Sequence, residues 1–182
     1  MTQPGQEQAE AAARQTVFSG WLSPEQERLW ELLNSAAQQV EAKLDQALES
    51  CGTLTQTEFH LLAALSQAPG YTLRLKELSE VLGWAHARVS RQISRMSRRG
   101  LISRSTDGRD RRAVRARMTE AGKEELGRAV PAYTAQLQRT VFDRLTLREA
   151  SLLERVAAEV AEEDPWGIRG SELLTRRWDR VR

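Results

Sequence analysis

The stretch WAHARVSRQISRMSRRGLISRSTDGRDRR, from Trp84 to Arg112, contains nine arginines, two acidic residues and regularly spaced apolar side chains. On a helix that advances about 100° per residue, Val89, Ile93 and Met96 fall within one narrow arc. This apolar ridge predicts the buried face of a helix. The opposite face would present a strip about 16 Å long, at about 1.5 Å per residue. The strip consists of Ala87, Arg91, Ser94, Arg95 and Arg98.

Positive charge is concentrated around this stretch, although the whole chain carries only +2. Residues 83–117 contain eleven arginines and two aspartates, a local charge of +9, which leaves −7 on the rest of the chain. A cationic patch on an otherwise acidic protein indicates a polyanionic partner, most often nucleic acid. The acidic remainder limits nonspecific attachment to other polyanions.

Length and composition predict one folded domain with added arms. The 182 residues are 40% apolar and 29% charged, which is ordinary for a globular protein. No apolar run is long enough to cross a bilayer, and residues 1–20 lack the basic start and apolar middle of a secretory signal. Cys51 is the single cysteine, which excludes an intrachain disulfide and a cysteine-based zinc cluster. We therefore expect a cytoplasmic protein without a membrane partner.

Apolar periodicity and capping signals predict a mainly α fold with a small β-hairpin wing. Three pairs have the spacing of a capping box, in which two side chains cap a helix start reciprocally. They are Ser23 with Gln26, Thr55 with Glu58, and Thr146 with Glu149. Long helices are predicted at 24–49, 120–143 and 147–163, and shorter ones at 55–67, 75–82 and from about residue 85. A short extended piece is predicted at 71–73, and two strands at 101–105 and 113–118.

The helix at 75–82, the Gly83-Trp84 turn and the next helix have helix-turn-helix proportions. The major groove of B-DNA admits one helix, where arginine can bind a guanine edge and serine or arginine can bind phosphate. Together with the two strands, these elements predict a winged helix-turn-helix. The candidate DNA-binding residues are His86, Ala87, Arg88, Ser90, Arg91, Ser94, Arg95, Arg98, Arg109 and Arg111.

The tip of the wing can reach a minor groove, whose electronegative floor attracts arginine. Arg109 or Arg111 would face the DNA there, while Asp110 pairs with Arg112 and holds the tip in shape. Other arginines are less specific. Arg88, Arg99 and Arg104 are as consistent with an internal pair, or with no role, as with a phosphate contact.

The segment LKELSEVLGWAHARVSRQISRMSRRGLISRSTDGRDRRAVRARMTEAGKEEL resembles the winged helix-turn-helix of MarR-type transcriptional regulators. The likeness includes Asp-Arg-Arg at 110–112, the strand that ends in Met118-Thr119, and the Glu-Ala-Gly-Lys entry to the next helix. It extends in the family's order over roughly residues 24–163. Trp84, Ala85 and Ala87 depart from the more frequent aliphatic or hydroxyl residues, which leaves the base preference open.

The resemblance implies a homodimer in which the first and last long helices of both subunits pack together. Each subunit would offer one winged helix to a half-site of a palindrome. We expect an N-terminal arm at 1–22, a MarR-like domain at 23–163 and a basic C-terminal extension at 164–182. Within the middle domain, 24–49, 120–143 and 147–163 would be the dimerisation helices and 55–118 the winged helix-turn-helix.

Two further functions have candidate residues. Trp30, Phe59 and Trp84, with Trp21, can line a pocket for a small aromatic or anionic effector, as the resemblance implies, although core packing is the simpler explanation of each. Cys51 can sense oxidants, as in some relatives of the family, or be an ordinary packed thiol. His60 is interpreted as a core residue and His86 as a phosphate contact, because two isolated histidines do not form a metal site.

The sequence thus predicts a DNA-binding transcriptional regulator, a ligand-responsive repressor that binds a palindromic operator as a homodimer. It contains no Gly-rich phosphate loop, no metal-ligand cluster and no nucleophile with a plausible histidine partner, so we expect neither enzyme activity nor a cofactor. Two alternatives stay open. One is a thiol redox-sensing regulator gated at Cys51, and the other is a winged-helix module that binds another protein.

Overall fold

The computed structural model describes residues 21–52, 54–106 and 114–162, which form a mainly helical fold with three short strands. The helices are α1 (Pro24–Cys51), α2 (Gln56–Ser66), α3 (Leu75–Leu82), α4 (His86–Arg98), α5 (Glu120–Thr140) and α6 (Leu147–Glu162). The strands are β1 (Thr72–Arg74), β2 (Ile102–Thr106) and β3 (Val114–Met118), and 3₁₀ turns lie at Pro69–Tyr71 and Phe142–Arg144. The predicted class, mainly α with a small β wing, is confirmed.

The chain divides into two compact units, residues 1–42 and residues 43–182. The described part of the first unit contains the start of α1. There the N–H of Gln26 donates to Ser23 Oγ (3.3 Å) and the N–H of Ser23 donates to Gln26 Oε1 (2.9 Å). Thr55 with Glu58 and Thr146 with Glu149 make the same reciprocal bonds in the second unit. All three predicted capping boxes are confirmed.

The strands form one antiparallel sheet with the order β1-β3-β2. β2 and β3 are the predicted hairpin, with Ile102 opposite Met118 and Arg104 opposite Ala116. β1 is a third strand, in which Leu73 also lies opposite Ala116. The hairpin prediction is therefore incomplete. The short extended piece joins the sheet because pairing with β3 satisfies its backbone N–H and C=O groups.

The hydrophobic core lies among α2, α3, α4 and the sheet. Its fully buried side chains include Leu61, Leu62, Leu65, Leu78 and Ile102. Val89, Ile93 and Met96 of α4 each have 0% exposure, which confirms the predicted ridge. Burial of each such side chain contributes roughly 1.5–3 kcal/mol. The three together therefore fix the rotation of α4 about its own axis.

The start of α5 is joined closely to the segment that follows α4. Thr119 Oγ1 accepts the N–H of Gly122 (3.1 Å) and donates to the carbonyl oxygen of Gly100 (2.7 Å). A Cβ added at Gly122 would lie 2.3 Å from the carbonyl oxygen of Leu101. A side chain at this position would therefore force α5 away from the loop.

Two helices carry apolar side chains that this chain leaves exposed. In α6, Leu152, Leu153, Val156 and Val160 lie within an arc of about 100° and are 47–68% exposed. In the first unit, α1 exposes Leu29, Trp30, Leu32 and Leu33. Among the described residues, none of the helices combines the length and the apolar character needed to span a membrane.

Candidate nucleic-acid interface

The α3-turn-α4 unit has the predicted helix-turn-helix form. α3 ends because Gly83 adopts a left-handed φ of 64°, where glycine has no Cβ to clash. The N–H of Trp84 donates to the carbonyl oxygen of Ser79 (3.0 Å) and closes the turn. α4 begins two residues later, at His86, with its ridge held in the core.

The side of α4 opposite the ridge faces solvent and carries only small, polar or cationic side chains. The exposed residues of the predicted set are His86, Ala87, Arg88, Arg91, Arg95 and Arg98, and the half-buried ones are Ser90 and Ser94. The helix has four arginines and no acidic residue. The structure therefore brings eight of the predicted DNA-binding residues onto one helix that contains no acidic side chain, and their contact with DNA stays a prediction.

Ser94 makes two internal hydrogen bonds. Its hydroxyl donates to the carbonyl oxygen of Ser90 (2.9 Å), one turn earlier in α4. Its Oγ also accepts from Nη1 of Arg104 on β2, at 2.9 Å. Arg104, which the sequence left undecided, is therefore tied to the predicted DNA-binding helix.

Arg88 packs on the aromatic ring of the preceding turn. Its guanidinium carbon lies 4.3 Å from the centroid of the Trp84 ring, within cation–π distance. Trp84 is half-buried and packs against the core. The first turn of α4 is thus anchored by an aromatic side chain.

Arg99, directly after α4, has an internal partner and is not simply a surface cation. Its Nη1 lies 2.7 Å from both Oε1 and Oε2 of Glu58, which is 3% exposed. Glu58 also accepts the N–H of Thr55 at the start of α2 (3.1 Å). A buried carboxylate without a partner costs several kcal/mol, so Glu58 favours the arrangement in which Arg99 stays beside it. The ion pair therefore links the end of α4 to the start of α2.

The tip of the wing lies outside the described residues. This applies to Arg109 and Arg111, predicted to contact DNA, and to Asp110 and Arg112, predicted to stabilise the tip. The strands below it are described. Arg117 is exposed and Arg115 is half-buried on β3.

An aromatic cluster joins α2, α5 and the turn before α4. The ring of Phe59 stacks on Tyr133 at 4.2 Å, and His60 lies edge-on to Trp84 at 6.3 Å. His60 Nε2 lies 3.2 Å from the hydroxyl of Tyr133. Burial, and to a smaller extent the nearby Arg88, lowers the pKa of His60 below its ordinary value. His60 is the packed residue that we expected.

Two of the predicted effector residues lie in one cluster of the second unit. Phe59 and Trp84 both belong to the aromatic cluster, in which His60 touches each of them. Trp30 and Trp21 lie in the first unit and are exposed there. Tyr133 was missed by the sequence reasoning, because nothing in α5 marks it except its helical phase.

Cys51 lies in the last turn of α1 and is half-buried. Its thiol donates to the carbonyl oxygens of Ala47 (3.2 Å) and Leu48 (3.4 Å). These contacts are those of a packed thiol, and its proposed reactivity stays a prediction. In the part of the chain that the structure describes, no group of three or more His, Cys, Asp or Glu side chains can hold a metal ion.

These elements define a winged helix-turn-helix, and comparison with known proteins identifies the family. Residues 54–114 match the model of the MarR family. The crystal structure of Sco3205 from Streptomyces coelicolor, a MarR family transcriptional regulator in complex with DNA, is 30% identical. It superposes with a TM-score of 0.75 over 78% of this chain and 89% of that one. The chain therefore belongs to the MarR family.

Two more distant relatives have named functions. The transcriptional repressor MprA of Escherichia coli strain K12 is 26% identical over 107 residues, which is 59% of this chain. The match spans only 60% of the length of that repressor. BpsR of Bordetella bronchiseptica, whose DNA binding is regulated by 6-hydroxynicotinic acid, is also 26% identical, with a TM-score of 0.66. That alignment covers 74% of this chain and 93% of BpsR.

Proposed function

We propose that this protein is a sequence-specific DNA-binding transcriptional regulator that represses from a palindromic operator as a homodimer. The observation that carries the proposal is the division of α4 into two faces. One face is a ridge with 0% exposure, and the other exposes Arg91, Arg95 and Arg98 without an acidic residue in the helix. A helix held in this way can enter the major groove, where arginine binds guanine edges and phosphates.

The relatives support DNA as the partner rather than another polyanion. Sco3205 was solved in complex with DNA, and MprA is named a transcriptional repressor. Because these relatives are regulators, we propose that the chain is not an enzyme. A regulator that binds DNA would act in the cytoplasm.

The exposed apolar side chains support the homodimer. On α6, Leu152, Leu153, Val156 and Val160 form an exposed apolar stripe, called the α6 stripe below. A second copy can cover this stripe and the exposed apolar side chains of α1. We assign α1, α5 and α6 to dimerisation and 55–118 to DNA binding, with arms at 1–22 and 164–182. Two recognition helices in one dimer would then need a spacing of about 34 Å to reach successive major grooves.

We also propose that a small aromatic acid weakens operator binding. BpsR is regulated in this way by 6-hydroxynicotinic acid. In this chain, Tyr133 of α5 contacts Phe59 and His60 of α2, and His60 contacts Trp84 at the start of α4. We expect such a ligand to bind beside these aromatic rings. It would weaken operator binding only if it binds the DNA-free conformation more tightly than the DNA-bound conformation.

The test is selection of bound duplexes from random DNA, followed by measurement of affinity against salt concentration. We expect a palindromic sequence and an affinity that falls steeply with salt, because counterions leave the phosphates. Arg91→Ala should lose about 1–3 kcal/mol and relax the preference at one base position. Arg144→Ala, in the 3₁₀ turn before α6, is the matched control, and it should bind as the wild type does.

The opposite result would also be informative. If the wild-type protein binds no duplex at low ionic strength, the proposal is contradicted. That result would favour a winged-helix module that binds another protein. If Arg109→Ala combined with Arg111→Ala leaves operator affinity intact, the wing does not contribute as proposed.

A further inference from the structure

The side chain of Arg104 lies on the same face of the sheet as core residues. In the β2–β3 register, Arg104 is opposite Ala116, which has 0% exposure. Arg104 is also two residues from Ile102, which is 1% exposed, so both side chains project from the same face. That face packs against α4. Arg104 extends beyond the core, remains exposed and reaches Ser94 of α4 with its guanidinium.

Ser94 is already committed to internal bonds. A serine hydroxyl has one proton to donate, and that of Ser94 is directed to the carbonyl oxygen of Ser90. Its oxygen accepts from Nη1 of Arg104. Ser94 therefore has no proton left to give to a DNA phosphate, although the sequence places it among the DNA contacts.

Arg104, in contrast, keeps most of its binding capacity. A guanidinium has five N–H donors in a rigid planar fork, and the bond to Ser94 uses one of its nitrogens. This bond also limits the number of rotamers, so less side-chain entropy is lost when the group binds a partner.

The position of Arg104 beside α4 indicates what it can reach. An α-helix with its side chains is about 10–12 Å across, which nearly fills a major groove about 12 Å wide. A cation on the flank of the inserted helix therefore meets the rim of the groove, where the phosphates lie. Bases are reached from the central exposed strip instead.

We infer that Arg104 binds a DNA phosphate at the rim of the major groove, and that Ser94 is a positioning residue that orients it. This inference rests on the proposed DNA binding. It replaces the predicted direct contact of Ser94 with an indirect one, and it adds to the DNA-binding surface a residue that lies outside both the recognition helix and the wing tip.

The experiment measures binding of the selected duplex by fluorescence anisotropy over a series of salt concentrations. Arg104→Ala should weaken binding about 5- to 10-fold for every sequence tested. The slope of log binding constant against log salt concentration, called the salt slope below, should become shallower by the contribution of about one phosphate contact. Circular dichroism at each salt concentration checks that the variant is fully folded, so that the change in slope reports the lost contact and not unfolding. Arg104→Gln removes the charge but keeps a donor for Ser94, and it should show the same loss of slope.

The role of Ser94 is tested by a double-mutant cycle. Ser94→Ala alone should weaken binding about 2- to 5-fold, and Ser94→Ala with Arg104→Ala should bind like Arg104→Ala alone, because Ser94 acts through Arg104. Arg144→Ala, which removes an exposed arginine of the 3₁₀ turn before α6, is the control for charge alone, and it should leave the salt slope unchanged.

Two results would overturn the inference. An unchanged salt slope in Arg104→Ala would remove the phosphate contact, and additive losses in the cycle would make Ser94 an independent contact. Both results require that the wild type binds its selected duplex. A wild type that binds no duplex would instead overturn the proposed function, so the two failures are distinguishable.

Discussion

Helices α4 and α6 have similar amphipathic patterns, but only α4 covers its apolar side within the chain. The ridge of α4 has 0% exposure at Val89, Ile93 and Met96. The stripe of α6 keeps about half or more of each large side chain exposed, including Leu153 and Val156. The difference shows that an apolar stripe predicts burial without specifying which surface provides it.

The same comparison separates the two kinds of partner. The apolar face of α4 is buried in the core of the chain, so its polar face is left on the surface. The four arginines of the helix make that surface suited to a polyanionic partner. The apolar face of α6 is exposed, and its burial would need the apolar surface of a partner. We therefore propose that one chain carries a charged surface for nucleic acid and an apolar surface for a second copy.

The strongest test of the comparison is the ridge itself. Ile93→Ala should lower the free energy of unfolding by about 4 kcal/mol, because it removes buried methyl groups and leaves a cavity. Denaturant titration measures this loss. Arg91→Ala, two residues away on the exposed face, is the control and should change stability by less than about 0.5 kcal/mol. Equal effects of the two changes would mean that α4 is rotated differently from the structure described.

The apolar stripe of α6 can be tested by adding a charge. Val156→Asp should weaken self-association by about 3 kcal/mol, or roughly 150-fold, because an unpaired charge would be buried at the subunit contact. Analytical ultracentrifugation over a concentration series measures the dissociation constant. Ser151→Asp adds the same charge about 140° away on the helical wheel and should leave it unchanged. A wild type that is monomeric at all concentrations would contradict the dimer proposal directly.

The link between α4 and α5 gives a smaller effect. Gly122→Ala should destabilise the protein by about 2 kcal/mol, since the new Cβ would lie 2.3 Å from the carbonyl oxygen of Leu101. Gly127→Ala in the same helix is a matched control, because its Cβ would meet nothing within 4 Å. That change should be neutral or stabilising by up to about 1 kcal/mol. If both variants unfold at the same denaturant concentration, the close approach at Gly122 is not required.

The smallest expected effect is a dependence of stability on pH that arises from His60, which contacts Trp84 in the turn before α4. The pKa of His60 is lower in the folded chain than its ordinary value of 6.5, so the unfolded chain binds a proton more readily. Stability is therefore greatest above that ordinary value and decreases as the pH falls below it. The free energy of unfolding of the wild type should decrease more than that of His60→Gln between about pH 7 and pH 5.5. A parallel decrease in both proteins would show that His60 does not contribute.

Much of the fold and part of the candidate site could be predicted because the signals are local. The α4 ridge is a repeat of three and four residues, and each capping box joins residues three apart. The hairpin prediction was close for the same reason. β1 was predicted only as an extended piece, because its pairing with β3 joins Leu73 to Ala116, which is distant in sequence.

The internal partners of the arginines could not be predicted. Arg99 pairs with Glu58, 41 residues away, and Arg104 with Ser94, ten residues away on another element. Sequence reasoning left both arginines open because a guanidinium fits a phosphate and a carboxylate equally well. Only the packing of α2, β2 and α4 determines which acceptor lies within reach.

The sequence by itself determined the two faces of α4, the concentration of positive charge around it and the starts of three helices. These features depend on residue type and on spacing within one or two turns. The tertiary structure alone decided that the α4 stripe is covered while the α6 stripe is not, and which arginines already have partners. The physical reason is that burial and ion pairing are contacts between elements far apart in the chain, and periodicity within one element contains no information about its neighbours.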